Sequence, residues 1–418
     1  MNLFQSLKVR VPKDLSGVTT IDRESEAAPE AAGLTPHAVN EIWQAVEGAY
    51  RSRAYPALTF CLRRRGQVVL NRALGHARGN GPLEPPHGEK ILVRPETPIC
   101  LFSASKAVTA VLTHMLAEDG GIDLDKPVAH YIPEFAAAGK AATTIAEVLA
   151  HRGGFPTLDI PPSERDPKLL LDWDFVIKTI CQSPPMAGRS QRMAYHAITG
   201  GFIVAEIIQR VTGKPVQDYL DRRLRQPLGM KHFTYGLPRE YRAGAALNYC
   251  AGTPVRFPVS TFIEQALMAS TEVVTETSNT EVFYDGVIPA GNLYATAEEL
   301  SRFYQMLLDS GEYGGRQVMK SETVRRAVRP VSGISFDRTL KIPMRYSEGM
   351  MLGLNPFGIY GPGTARAYGH LGFMNILGWA DPARDISVGL LVTGKAVLGT
   401  HLVALFVNLL GTISRQCK

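Results

Sequence analysis

The 418-residue chain has little cysteine, no long apolar run and no block of like charge. Its five cysteines, Cys61, Cys100, Cys181, Cys250 and Cys417, are odd in number and widely spaced, with no C-x-x-C pair and no histidine at metal-ligand spacing. A disulfide framework is therefore not expected, and the ten dispersed histidines offer no metal site. No uncharged stretch approaches the roughly 18 apolar residues that a membrane span needs. The opening MNLFQSLKVRVPKDL is broken by charge and by Pro12 before a signal's apolar core can form, so a reducing cytoplasm is the expected setting. G-x-S-x-G is missing, which counts against an α/β-hydrolase, and so is H-E-x-x-H. Gly389 to Lys395 has phosphate-loop spacing, but its middle reads as a buried strand, and Ala396 stands where Ser or Thr should hold magnesium. No cofactor is implied.

Charge excludes a further class. The net charge is +6, yet Lys and Arg are scattered, and the densest cluster, Arg63-Arg64-Arg65 followed by Gly66, reads as a strand end entering a turn. No nucleic-acid partner is expected, and no membrane.

What is present is ordinary globular material, 45% hydrophobic and 20% charged, in a chain long enough for two domains or one domain with an insertion. Residues 1–33 read as a polar lead-in draped over the surface. Thr35-Pro36 starts a helix to about Ser52, with Val39, Ile42, Val46 and Tyr50 on one face. ALTFCLRR and QVVLNRAL form a hairpin around Arg-Gly. A helix runs from Phe102 to about Asp119, where Gly120-Gly121 stops it. The middle, to about residue 285, is helix-rich, including 144–151 and 196–211. Strands return at Asn375–Trp379 and Ser387–Val392, before a final helix over 399–412. Trp43 and Trp379 read as core. Strands at both ends around a helical middle predict a sheet domain of residues 1–112 and 286–418, a mainly helical domain of 113–285, and a ligand site in the cleft between them.

Ser103-Ala104-Ser105-Lys106 is the chain's only S-x-x-K, the spacing found in serine β-lactamases and penicillin-binding proteins. Three residues make nearly one helical turn, so the amine lies beside the hydroxyl. A serine at a helix start also has unpaired N–H groups and the positive dipole end near it, which favour an oxyanion. A desolvated lysine has a lowered pKa and accepts the serine proton. From spacing alone, Ser103 is equally well read as a plain helix cap.

Six segments in order carry a resemblance over about residues 30–412: PALTFCLRRRGQVV, LFSASKAVTAVL, TTIAEVLAHRGGFP, YHAITGGFIVAEIIQRVTGKPVQDYLDRRLRQPLGM, PAGNLYATAEELSRFYQMLL and YGHLGFMNILGWADP. They resemble class C β-lactamases and their esterase relatives, the family VIII carboxylesterases. The fold so implied is α/β (α+β) and β-lactamase/penicillin-binding-protein-like, an antiparallel sheet flanked by helices plus a helical domain. The resemblance makes Ser103 the nucleophile, Lys106 its base or proton relay, and Tyr195 the third member, which passes the proton to the leaving group. It places the H-x-G strand motif at His370-Leu371-Gly372; His151-Arg152-Gly153 also fits the bare pattern, but only His370 is followed by the GWADP context. Gly372 would let substrate approach the strand, and the Phe373 N–H would complete an oxyanion hole with that of Ser103.

Two positions depart from the lactamase pattern. Ala197 stands where lactamases carry the Y-x-N amide, and His370 where they carry the K-T-G lysine, so a fixed cation for a lactam carboxylate is missing. Both departures resemble the esterase branch. His370, Gly372 and Ala197 are thus the expected substrate-binding positions, and the expected activity is hydrolysis of short-chain esters, a small-molecule substrate class, through an acyl-enzyme. β-Lactamase or D-amino-acid peptidase action, acyl transfer and a non-turnover acylated sensor are the alternatives. DIPPSERDPK and VRFPVSTF are expected to wall the acyl pocket, His151 to satisfy a loop hydrogen bond, and His196 to face solvent.

Overall fold

Positive φ at Arg65 (51°) and at Gly66 (75°) closes the two-residue turn between the first two apolar runs, a backbone that glycine adopts without steric cost. The flanking strands, Ala57–Arg64 and Gln67–Arg78, pair antiparallel. A computed structural model of the chain describes residues 7–186, 192–254, 259–396 and 400–418.

The hairpin belongs to an eight-stranded sheet. From one edge the order is Thr19–Ile21, Gln67–Arg78, Ala57–Arg64, Ile386–Val392, Ile376–Asp381, Tyr368–Gly372 and Met351–Leu352, with Ile91–Leu92 also paired to Gln67–Arg78. The two ends of the chain meet where Ala57–Arg64 pairs antiparallel with Ile386–Val392. Every residue of Ile386–Val392 is buried, so the phosphate-loop spacing that begins at Gly389 lies in a core strand.

Both faces of the sheet are covered. On one, the helix Ala297–Leu308 meets the strands, with the Ser301 hydroxyl 3.2 Å from Cys61 Sγ. On the other, the Arg72 guanidinium lies over Trp43 of the helix Pro36–Arg51, which packs against the C-terminal helix Thr400–Gln416. Trp379 and Trp43 are buried, as expected. Arg63 pairs with Glu298, so the basic cluster is part of this packing. The lead-in does more than drape: Val9 and Leu15 are buried and Thr19–Ile21 extends the sheet, because these apolar side chains find the core.

Between residues 113 and 285 the described chain contains helices such as Trp173–Gln182 and Thr199–Thr212, and its only strand is Thr234–Tyr235. That strand, Leu293–Ala295 and Ile99–Cys100 form a small antiparallel sheet leading into the S-x-x-K segment. All five cysteines are free. Among the described residues, no helix is long and apolar enough to cross a membrane.

Candidate active site

The helix Ser105–Glu118 runs through the interior, with every residue from Ser105 to Leu116 buried, and a 3-10 turn, Phe102–Ala104, precedes it. Phe102 has φ 47°, a left-handed backbone that bulky residues rarely adopt, so the chain bends sharply just before Ser103. The surroundings hold that bend. The Leu101 amide donates to the Leu293 carbonyl at 2.8 Å. The Ser105 hydroxyl donates to the Phe102 carbonyl at 2.5 Å and accepts from the Leu293 amide at 3.1 Å. Ser105 is thus occupied as a strut, while Ser103 lines a pocket.

Lys106 is buried, and its Nζ donates to the Ala290 carbonyl at 2.9 Å and lies 4.9 Å from the centre of the Tyr195 ring. Burial holds its pKa well below the usual lysine value. Burial also raises the Tyr195 pKa, against the opposing pull of the neighbouring Ser103 hydroxyl and with a further push from the Asp337 charge. The Tyr195 hydroxyl is nevertheless buried without a hydrogen bond of full geometry among the described residues. Ser103, Lys106 and Tyr195 are therefore brought together in one buried cluster.

His370 is buried beside them, its ring centre 5.9 Å from that of Tyr195. Its Nδ1–H donates to the Leu371 carbonyl at 2.7 Å, which leaves Nε2 as a buried acceptor without a partner among the described residues. Burial, and then the nearby Lys106 charge, push its pKa down to about 3, so the ring is neutral. Gly372 is fixed by close approach: a Cβ there would stand 2.3 Å from the Leu101 carbonyl. Phe373 follows, and its ring packs on Phe102 with centres 5.5 Å apart. Neither the Ser103 nor the Phe373 amide has a backbone acceptor among the described residues.

The pocket at Ser103 is apolar, lined by Phe102, Leu170, Ile198, Phe283, Ile288 and Phe373 among others, with no charged side chain among the described residues. It is narrow, a cavity of about 50 Å³. Pro167, from the DIPPSERDPK stretch, is part of its wall; residues 255–258 of VRFPVSTF lie outside the described residues. Ala197 is buried, and its neighbour Ile198 contributes to the lining instead. Lys395, a second buried amine, sits behind the Phe102 ring at 4.4 Å and donates to the Val392 carbonyl at 3.1 Å; burial lowers its pKa to about 7.

The reading of His196 needs correction. It is fully buried, accepts from the Phe155 amide at 3.3 Å, and has its pKa pushed down to about 4 by burial, because the segment before Thr199 turns inward. His151 makes the expected loop hydrogen bond, its Nδ1 accepting from the His196 amide at 3.2 Å. Sequence reasoning missed Asp337, which is fully buried and accepts from the Tyr195 amide at 3.1 Å. Its one local signal is turn chemistry, since the same carboxylate accepts from the amides of Thr339 and Leu340 just beyond it.

Comparison with known proteins identifies the family. The family description Beta-lactamase matches residues 41–405. The esterase/β-lactamase LipL of Mycobacterium tuberculosis is 30% identical over 306 residues, covering 69% of this chain and 68% of that protein. Among solved structures, a family VIII carboxylesterase aligns with TM-score 0.76 at 25% identity, over 92% of this chain and 99% of that one. A penicillin-binding protein homolog from Caulobacter crescentus aligns with TM-score 0.75 at 25% identity, over 91% and 99%. The chain belongs to the β-lactamase family and is a serine hydrolase with the β-lactamase/penicillin-binding-protein fold.

Proposed function

We propose that the protein is a carboxylesterase that hydrolyses short-chain esters through an acyl-enzyme on Ser103. The observation that carries this reading is the narrow apolar pocket at Ser103, which suits a short acyl chain and holds no cation for a carboxylate among the described residues. Ala197 and the neutral His370, standing where lactamases carry an amide and a cation, point the same way. So do the names of the relatives, an esterase/β-lactamase and a family VIII carboxylesterase.

In acylation, uncharged Lys106 takes the Ser103 proton as Oγ bonds to the ester carbonyl carbon. The carbonyl oxygen becomes an oxyanion facing the Ser103 and Phe373 amides, two donors of the kind worth a few kcal/mol in the transition state. Tyr195 relays the proton to the departing alkoxide as the C–O bond breaks. In deacylation, water attacks the acyl carbon, its proton passes back through Tyr195 and Lys106, and Ser103 leaves with a proton restored. His370 orients substrate or phenol, and Gly372 lets the substrate lie close to the strand. We place this site in the cleft between a sheet domain of residues 1–112 and 286–418 and a helical domain of 113–285. Five free cysteines suit a reducing, cytoplasmic setting.

The test is turnover of a panel of p-nitrophenyl esters beside nitrocefin, with Ser103→Ala as control. Butyrate hydrolysis should exceed nitrocefin hydrolysis, and both should vanish in the control. Faster nitrocefin turnover would move the chain to the lactamase side, and a burst without turnover would make it an acylated sensor.

A further inference from the structure

The segment that carries Tyr195 is neither helix nor strand, so no regular ladder fixes it. Three consecutive amides are held instead by two residues distant in sequence. Ala194 donates to the His151 carbonyl at 3.0 Å, Tyr195 to Asp337 Oδ1 at 3.1 Å, and His196 to His151 Nδ1 at 3.2 Å. Next to Asp337 in the chain, the Arg338 amide donates to the Met193 carbonyl at 3.0 Å.

Asp337 is built for this. Fully buried, it forms no ion pair among the described residues, and its charge is met by donors alone. Oδ1 accepts from the amides of Tyr195, Thr339 (2.8 Å) and Leu340 (2.9 Å), while Oδ2 accepts from the Tyr346 hydroxyl at 2.9 Å. The Tyr346 ring packs on His151 at 4.8 Å and the His151 ring on Tyr195 at 4.7 Å, so both ends of the clamp touch. A buried carboxylate is costly unless fully bonded, and one this completely bonded has a single geometry.

We propose that Asp337 is a positioning residue that acts through Tyr195: by gripping the Tyr195 amide between the two amides that His151 holds, it aims the phenol at Ser103 and over Lys106. The inference rests on the reading of Tyr195 as the proton relay. Displacements of about 1 Å in such a group cost on the order of 100-fold in rate.

The experiment is a double-mutant cycle between Asp337→Ala and Tyr195→Phe, read as kcat and KM on p-nitrophenyl butyrate, with thermal melting to establish that each variant folds. Asp337→Ala should lower kcat by about 10- to 100-fold with KM within about threefold, and Asp337→Asn, which keeps an acceptor for the amides, should restore most of the loss. In the Tyr195→Phe background the same alanine change should cost less than about threefold, because there is no phenol left to aim. An equal loss in both backgrounds, or near-native kcat in a folded Asp337→Ala, overturns the proposal. Should the alanine variant not fold, Asp337→Ser, whose hydroxyl is too short to reach the Tyr195 amide, goes through the same cycle with the same outcomes. Near-native turnover in Tyr195→Phe alone removes the reading of Tyr195 itself, and that result is separate from anything seen at Asp337.

Discussion

Lys106 Nζ stands 4.9 Å from the centre of the Tyr195 ring, buried and bonded only to the Ala290 carbonyl among the described residues. Burial lowers its pKa, so the folded protein gives up this proton at a lower pH than the unfolded chain, whose lysines titrate near 10.4. Between those two values the unfolded state binds more protons and stability rises with pH, so below the unfolded value the buried lysine is a penalty. Lys106→Met should therefore abolish turnover while its melting temperature at pH 7 equals or exceeds the parent's, with a flatter rise in melting temperature from pH 7 to 10. Calorimetric melts across that range check it. A clearly lower melting temperature at pH 7 would mean that the lysine is a structural cation instead.

The same burial sets the pH dependence of the reaction. If Lys106 must be uncharged, kcat/KM falls as pH drops through its lowered pKa, and activity persists at pH values where an ordinary lysine would be protonated. A pH–rate profile that rises only near pH 10 would contradict the assignment.

Gly372 should tolerate no side chain. A Cβ 2.3 Å from the Leu101 carbonyl forces apart the strand Tyr368–Gly372 and the bend that precedes Ser103. Gly372→Ala is expected to lower both the melting temperature and kcat, the latter by at least about tenfold, since the displaced groups include a proposed oxyanion donor. Stability and kinetics within the parent's range would show that the strand relaxes freely.

Acyl-chain preference should follow the pocket wall. Leu170→Ala removes a buried side chain from the lining and is expected to raise the hexanoate-to-butyrate ratio of kcat/KM by about 10-fold, the scale that one or two methylenes command in an apolar pocket. An unchanged ratio would place the acyl chain elsewhere.

Much of this was legible in the sequence because it is local. The hairpin at Arg65-Gly66 announces itself by its turn and its apolar runs, and the strand ALTFCLRR falls on Ala57–Arg64. S-x-x-K is likewise a spacing within one turn of helix. The missed features are contacts between distant segments. Thr19–Ile21 becomes a strand only because Gln67–Arg78 offers an edge, and His196 looks exposed until the chain folds it under Phe155. Asp337 lies 142 residues from Tyr195, and no periodicity or motif connects them.

The central claim is that Ser103 carries the acyl group. Treatment with a fluorophosphonate followed by peptide mapping by mass spectrometry tests it most directly. Ser105 is the informative internal control, since its hydroxyl is already committed to the Phe102 carbonyl and the Leu293 amide. One adduct is expected, on Ser103, formed with loss of esterase activity and absent from Ser103→Ala. An adduct on Ser105 or any other residue, or undiminished labelling of Ser103→Ala, would contradict it.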